Sequence, residues 1–206
     1  MKNILLVLLI VFCLSLCNLS ERFKKGSSNS GPSGSGTTSR SAEPAKATAE
    51  QTAALAGGQE VKWERQGISW TIPPNWTEVT NESKEFVMRS PGGGDAASLI
   101  VSISPMDASF PADSSIQAFF EQAESRAKNG EVDEVKWVEI DGLKGVQFRE
   151  AAKEKADDHR RLQWMAYRKY TGQLQLINLM LASESKDFER HKDAMYGILY
   201  STKVVH

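Results

Sequence analysis

The sequence predicts an α+β fold in which an antiparallel β-sheet is flanked by helices, and three observations support this. Several segments alternate apolar and polar side chains, as strands with one buried face do. Asp141-Gly142 and Thr171-Gly172 each separate two such segments, as expected for antiparallel hairpins. Two other segments place apolar residues at helical spacing, and the order of strands, helix, strands and closing helix is typical of the α+β class.

The folded part opens with strands. Ile68 to Ile72 alternates apolar and polar residues and stops at Pro73-Pro74, because proline lacks the N–H that a sheet ladder needs. Lys84 to Arg89 predicts a second strand, which the turn-rich run from Ser90 to Asp95 ends. A third strand, from Ser98 to Ser104, would place three apolar residues on one face: Leu99, Val101 and Ile103.

A helix is expected after the third strand. Ser114 and Gln117 fit a capping box, and Gly130 is well placed to end the helix. Between them, apolar residues recur at helical spacing: Ile116, Phe119, Phe120, Ala123 and Ala127.

Two hairpins and a second helix complete the predicted domain. Glu134 to Ile140 pairs with Leu143 to Glu150, and the longer segments Arg160 to Tyr170 and Gln173 to Ala182 form the second hairpin. The last helix begins at about Ser185 and carries one apolar stripe: Phe188, Met195, Ile198 and Leu199.

Two runs in this region resemble a known fold group. The run from Gly67 to Trp76, GISWTIPPNW, resembles the start of the small bacterial domains of the PsbP/Mog1/DcrB-like fold, where a strand ends in a P-x-x-W turn. The run from Val138 to Phe148 is similar to that group's hairpin motif, V-x-(V/I)-(D/N)-G-x-x-(A/G). The resemblance covers the whole folded part, residues 59–206, and its motifs are turn and core signatures. It implies the fold, which hosts photosystem accessory proteins, a nuclear-transport factor and lipoproteins of unknown role.

The N-terminus predicts export. Lys2 and Asn3 precede an apolar run from Ile4 to Cys17, which is short for a membrane-spanning helix of about 20 residues and long enough for a signal-peptide core. Residues 1–17 are therefore interpreted as a signal peptide with a lipobox-like end, or as a signal anchor. The protein is expected outside the cytoplasm, in the cell envelope.

Cys17 is the candidate lipidation site. Leu14-Ser15-Leu16-Cys17 is similar to a bacterial lipobox, although Leu16 stands where a lipobox usually has a small residue. Three outcomes stay open: a lipoprotein modified at Cys17, an uncleaved signal anchor, or ordinary secretion. In the simplest alternative, Cys17 is a small apolar residue of the signal segment.

Residues 18–58 read as a disordered linker. The stretch is rich in Gly, Ser and Ala and contains little that could form a core. About 30 flexible residues reach roughly 30 Å, enough to hold a folded domain clear of a membrane surface. We interpret the linker as a tether, and the alternative is a disordered tail without that role.

Composition narrows the chemistry of the folded part. The only two cysteines, Cys13 and Cys17, lie in the signal segment, so a Cys nucleophile, an internal disulfide or a Cys-ligated metal is excluded beyond them. The 25 basic and 26 acidic residues nearly balance, which argues against nucleic-acid binding. The sequence predicts no cofactor. Its glycine-rich run from Ser90 to Asp95 lacks the Lys-Ser/Thr of a phosphate-binding loop.

The remaining candidate sites each have a structural explanation. Asp157-Asp158-His159 could offer metal ligands, but neighbouring strand residues point to opposite faces, so a solvated turn is favoured. His191 fits a partly buried helix residue better than a general base, and His206 is terminal.

Basic residues in one strand could meet an anionic partner or simply keep a sheet face soluble: Arg160, Arg161, Arg168 and Lys169. The five tryptophans are expected mostly in the core.

These observations favour a non-catalytic binding or accessory module. It would be exported or tethered to the envelope, and its sheet face or helix–sheet cleft would engage an envelope protein or an apolar small ligand. The alternative is an envelope hydrolase that uses carboxylates, for which four groups are available: Glu139, Asp141, Asp157 and Asp158.

Overall fold

The computed structural model describes residues 41–205. Within that range lie three α-helices, α1 Ala49–Ala53, α2 Ala112–Lys128 and α3 Phe188–Tyr200, and a 3-10 turn, Glu64–Gln66. The strands in the same range are β1 Glu43–Pro44, β2 Gln59–Trp63, β3 Ile68–Ile72, β4 Thr77–Asn81, β5 Glu85–Arg89, β6 Ser98–Met106, β7 Val132–Ile140, β8 Leu143–Glu150, β9 His159–Tyr170, β10 Gln173–Glu184 and β11 Lys203–Val204.

The strands form two sheets. Eight of them make a large sheet in the order β1-β7-β8-β9-β10-β6-β5-β4, and three make a small sheet in the order β11-β3-β2. Neighbours pair antiparallel, except that β1 runs parallel to β7. The predicted α+β class, with an antiparallel sheet flanked by helices, is confirmed.

Both predicted hairpins form at the expected turns. Asp141 and Gly142 have φ angles of 49° and 81°, and Thr171 and Gly172 have φ angles of 48° and 83°. Positive φ at both central residues is the signature of a type I′ turn, whose twist matches that of the flanking strands. These turns fix the registers of β7 with β8 and of β9 with β10.

The main core lies between one face of the large sheet and a layer made of the small sheet and α3. The predicted inward face of β6 is buried in it, with Leu99 and Val101 fully covered. The tryptophans are core residues, as expected, and none is more than 9% exposed: Trp63, Trp70, Trp76, Trp137 and Trp164. Burial of these large side chains stabilises a domain that cannot use disulfides.

Helix α2 covers part of the opposite sheet face. It packs against β7, β8 and β9, and the rings of Phe120 and Trp137 stack with centroids 5.0 Å apart. Two smaller apolar clusters fill this layer. The outer faces of β10, β6 and β5 lie beyond the strands that α2 packs against.

The start of α2 differs from the prediction. The helix begins at Ala112 after an N-cap at Pro111, and no side chain caps it, so the Ser114–Gln117 capping box is wrong. A turn at Asp107, closed by the Phe110 N–H, leads directly into Pro111, whose fixed φ suits a helix start. Ser115 instead shares a hydrogen bond of 2.9 Å with the Tyr167 hydroxyl on β9.

Residues 41–58, which the sequence placed in the linker, contain β1 and α1. Thr48 and Gln51 form a capping box at α1, with hydrogen bonds of 3.3 and 3.0 Å. The helix is held by packing against α3, where Gly197 lets the Gln51 carbonyl approach closely. The composition of this segment does not predict the helix, because α1 contains no buried residue of its own.

Candidate functional site

The proposed lipidation site, Cys17, and the signal segment lie outside the described residues. Within residues 41–205, no helix has the length and apolar character needed to span a bilayer.

The four carboxylates of the hydrolase hypothesis lie at opposite ends of the large sheet. Glu139 and Asp141 stand at the turn between β7 and β8, while Asp157 and Asp158 precede the start of β9. The registers of β7 with β8 and of β8 with β9 place these pairs about 30–40 Å apart, at roughly 3.3 Å per residue. Catalytic carboxylate pairs in glycosidases are about 5–10 Å apart, so the fold does not bring these groups together. Asp141 instead accepts a hydrogen bond of 2.8 Å from the Val204 N–H of β11.

The candidate metal and histidine sites have structural roles. Asp157 is largely exposed and pairs with Lys186 at 2.6 Å, and no group of three or more potential ligands is placed to hold a metal within the described range. His191 is a partly buried residue of α3, as predicted, and its Nε2 lies 2.8 Å from the Asp95 carbonyl oxygen. That contact holds the β5–β6 loop against α3. His206 lies outside the described residues.

The glycine-rich run from Ser90 to Asp95 connects β5 and β6, as expected for a strand connection. The Ser90 hydroxyl accepts the Ala97 N–H at 2.8 Å, and Arg89 donates to the Gly93 carbonyl at 3.2 Å. These hydrogen bonds within the loop stabilise its conformation.

The basic run of β9 does not form one surface. Arg160 is 5% exposed and pairs with Asp133 at 2.7 Å and with Glu189 at 2.8 Å. Arg168 is 3% exposed and donates to the Gln66 carbonyl oxygen at 2.7 Å. Arg161 points to the opposite sheet face. The run therefore forms neither an anion-binding surface nor a fully solvated sheet face, the two alternatives that the sequence offered.

Arg161 belongs to a cluster around a fully buried carboxylate, Glu150. The Glu150 carboxylate lies 2.6 Å from Arg161, 3.0 Å from Arg126 and 3.0 Å from Lys153. Burial alone would raise the pKa of Glu150, but hydrogen bonds from these cations outweigh it and hold the pKa below its ordinary value. A carboxylate kept ionised in this way is poorly suited to proton transfer near neutral pH, which indicates a structural role.

The sheet face beyond α2 is the first candidate binding surface. We call it the open half, and it comprises the outward residues of β5, β6 and β10. Val87, Ile100 and Met180 lie side by side across these strands and are all partly exposed. Polar residues border this apolar row, and Gln163 donates a 2.6 Å hydrogen bond to Asn178. An apolar centre with a polar rim is the usual anatomy of a protein–protein contact.

The second candidate is a polar cleft between α3 and the β7–β8 edge. Its volume is about 250 Å³. We define the polar cleft by its lining residues: Lys46, Thr48, Gln51, Glu134, Lys136, Arg149, Lys192, Asp193, Tyr196 and Tyr200. The segment that leads into α1 contributes one wall, so residues outside the predicted domain boundary help to form it.

Glu134 is the centre of the hydrogen-bond network in the polar cleft. It accepts from Gln147 Nε2 at 2.6 Å and from the Tyr196 hydroxyl at 2.8 Å. Lys136 and Arg149 lie within ion-pair distance of the same carboxylate, at 3.2 and 3.4 Å. Both carboxylate oxygens are therefore occupied by protein donors.

Two groups of the polar cleft are held in their protonated forms. Burial, together with the negative charge of Glu134, raises the pKa of Tyr196. Burial alone would lower the pKa of Lys136, but interactions with Tyr200 and Glu134 outweigh it and raise that pKa. At neutral pH the cleft thus presents a neutral phenol and a charged ammonium group.

The sequence did not reveal this network. Glu134 and Tyr196 are far apart along the chain, and only the packing of α3 on β7 brings them together. One signal was present, because Glu134 and Lys136 share the inward face of β7 with the buried Val138 and Ile140. Charged residues on a core-facing strand position require partners from another element.

Comparisons with known proteins give structural relatives only. No family model matches the chain, and no curated protein matches it. LpqN of Mycobacterium tuberculosis is 12% identical, with a TM-score of 0.53 over 72% of this chain and 86% of LpqN. PsbP of Synechocystis sp. PCC 6803 is 16% identical, with a TM-score of 0.45 over 71% of this chain and 92% of PsbP. The Ran-binding protein Mog1p of Saccharomyces cerevisiae is 14% identical, with a TM-score of 0.39 over 72% of this chain and 95% of Mog1p.

The similar structures thus include PsbP and Mog1 proteins, as the motifs at Gly67–Trp76 and Val138–Phe148 predicted. At these identities the similarity concerns the fold alone. The chain shares its α+β fold with LpqN across most of both proteins.

Proposed function

We propose that this chain is a non-catalytic accessory module of the cell envelope that binds a helix of a partner protein on the open half of its large sheet. The observation that carries the proposal is the partly exposed row of Val87, Ile100 and Met180 beyond the strands that α2 covers. The polar cleft is lined by charged side chains, so it does not favour the apolar small ligand that was the other expectation.

The size of the open half favours a single helix. Three or four strands about 4.8 Å apart give a width of roughly 15–20 Å, and a helix with its side chains is about 10–12 Å wide. A partner helix could lie beside α2 at a usual interaxial distance of about 10 Å. The face offers on the order of 300 Å², well below the roughly 800 Å² per partner of a stable dimer, so we expect the helix to bind as a transient contact.

The charges at the ends of the open half give the partner helix a preferred direction. Arg89 lies at one end of β5 and Glu85 at the other, with Val87 between them. A helix is stabilised by cations near its C-terminus and by anions near its N-terminus. The expected partner is therefore an amphipathic helix whose C-terminal end lies near Arg89.

The envelope setting rests on the N-terminal segment and on one structural relative. Residues 1–17 predict export, and lipidation of Cys17 would tether the domain through the linker. LpqN, which has the same fold, is described as involved in cell envelope biogenesis. The export signal and the anchor lie outside the described residues.

Crosslinking in the native envelope, followed by identification of captured proteins, tests the binding function. Val87→Lys should abolish capture of a specific partner, because it places a charge at the centre of the apolar row. Val205→Lys is the matched control, since Val205 is an exposed valine outside the open half. Equal capture by both variants, with both folded, would contradict the proposed interface.

Fractionation tests the tether separately. Cys17→Ser should release the protein from the membrane fraction if lipidation anchors it. Unchanged membrane retention of that variant would exclude lipidation as the anchor.

A further inference from the structure

Three lysines from separate elements converge on the polar cleft. Lys46 lies between β1 and α1, Lys136 lies in β7, and Lys192 lies in α3. The lining also contains Arg149 and two carboxylates, Glu134 and Asp193. Cations thus outnumber carboxylates around the cavity, on a chain whose charges otherwise nearly balance.

Two carboxylates near the cleft, Glu134 of the lining and Glu189 beside it, are already engaged, and Asp193 of the lining leaves the cations in excess. Glu134 accepts hydrogen bonds from two neutral groups and faces Lys136 and Arg149. Glu189 is shared between Lys192 and Arg160. Lys46 is exposed and forms no ion pair within the described part of the chain. The local positive charge is therefore only partly neutralised.

Geometry distinguishes between kinds of anion. A planar carboxylate is best bound by the two parallel N–H groups of an arginine fork. The fork of Arg149 is already occupied, because it donates to Asp133 at 2.7 Å and to the Tyr196 hydroxyl at 3.1 Å. The remaining cations are ammonium groups, which act as point charges and can each meet a different oxygen of a tetrahedral anion.

Lys136 is oriented for such a role. Its Nζ lies 3.2 Å from Glu134 and 5.7 Å from the centre of the Tyr200 ring. An ammonium group has three N–H donors, and Glu134 can take only part of that capacity because its oxygens also serve three other donors. The positive charge of Lys136 is thus fixed in place while donor capacity remains for a ligand.

We infer that the polar cleft binds a phosphate group, held by Lys46, Lys136 and Lys192. The cavity of about 250 Å³ lies just below the usual range of small-molecule sites, about 300–1,000 Å³. It therefore suits inorganic phosphate or the ester of a small alcohol. A free phosphate ester and a phospholipid headgroup share this chemistry. This site lies on the opposite sheet face from the open half and does not depend on the proposed partner helix.

NMR titration of the isotope-labelled full-length chain tests the inference. The probes are inorganic phosphate, glycerol phosphate and short-chain phosphatidic acid, with sodium acetate at equal ionic strength as the comparison. Backbone amides of Lys46, Lys136 and Lys192 should shift saturably with at least one phosphate probe and not with acetate. Binding of the two soluble probes identifies a free phosphate ligand, whereas saturation by phosphatidic acid alone identifies a lipid headgroup.

Single charge removals complete the test. Lys136→Gln and Lys46→Gln should each weaken phosphate binding about tenfold, the equivalent of about 1.4 kcal/mol. Lys62→Gln is the matched control, because Lys62 is an exposed lysine on the small sheet. Lys46 is exposed, so its variant should retain the fold. Failure of all phosphate probes to shift the cleft amides, or equal weakening by Lys62→Gln, would overturn the inference.

Discussion

Replacing Glu150 with glutamine tests the most highly charged buried site of the domain. Glu150 is fully buried on β8, and its carboxylate is surrounded by Arg126 of α2, Arg161 of β9 and Lys153 of the following loop. The substitution keeps the size of the side chain and removes its charge. It therefore isolates the electrostatic contribution of one carboxylate that joins three elements.

The expected loss of unfolding free energy is about 3 kcal/mol. Hydrogen bonds to charged groups contribute about 1.5–3 kcal/mol each, and neutral ones about 0.5–1.5 kcal/mol. The variant weakens two such bonds by about 1 kcal/mol each, those from Arg126 and Arg161, and it loses the ion pair with Lys153. The three cations are 27–37% exposed and can be partly resolvated, so the loss should not reach the upper end of the 3–5 kcal/mol typical for breaking a buried pair.

Urea unfolding at neutral pH and calorimetry would measure this loss. A domain of this size shifts its Tm by about 2–4 °C per kcal/mol, so we expect a decrease of about 6–12 °C. Glu60→Gln is the matched control, since Glu60 and Lys62 are both more than half exposed. Exposed pairs contribute at most about 1 kcal/mol.

The pH dependence gives a second readout. The pKa of Glu150 in the folded protein lies below its ordinary value of 4.5, so its stabilising contribution is complete above that value. The contribution is lost as the pH falls through the folded-state pKa. The stability difference between wild type and Glu150→Gln should therefore be largest near neutral pH and should shrink in acid. A loss below about 0.5 kcal/mol at neutral pH, or a difference that grows in acid, would refute this reasoning.

Three further substitutions test the packing. Gly145→Ala should cost about 3 kcal/mol in urea unfolding, because a Cβ there would lie 2.4 Å from Trp164 Nε1, whereas Gly93→Ala, with open space around it, should be neutral. Asp141→Ala should cost about 2 kcal/mol and expose the amides of β11 to hydrogen exchange, while Asp141→Asn should retain both the turn and the acceptor. Arg168→Met should cost about 2 kcal/mol, since it leaves a buried carbonyl of the 3-10 turn unpaired, and a neutral result would contradict that role.

Much of the fold was predictable because its signals are local. Alternation in Ile68–Ile72 and in Ser98–Ser104, together with the Asp141-Gly142 turn, predicted strands that the structure contains. Strands β1, β2, β4 and β11 were missed, because they are short and their pairing is not visible in their own sequence. The same limit applies to α1, whose few residues fold against α3.

The candidate surfaces were less predictable than the fold. The open half exists because α2 packs mainly over β7, β8 and β9, with Leu176 of β10 at the border of its apolar cluster. The sequence of α2 does not indicate which strands the helix covers. The polar cleft needs Lys46, Lys136 and Lys192 to meet from three elements. The sequence shows that these residues are lysines, but only the packing of α3 and of the segment before α1 against β7 brings them close together in space.

The sequence by itself determined the α+β class, the two hairpins at Asp141-Gly142 and Thr171-Gly172 and the burial of most tryptophans, since periodicity and turn chemistry act between near neighbours. It also supplied the export prediction, which concerns residues outside the described range. Only the tertiary structure decided that Arg160, Arg168 and Glu150 are buried. A charged side chain tolerates burial only where other elements bring donors or countercharges to it, and that condition depends on the whole fold.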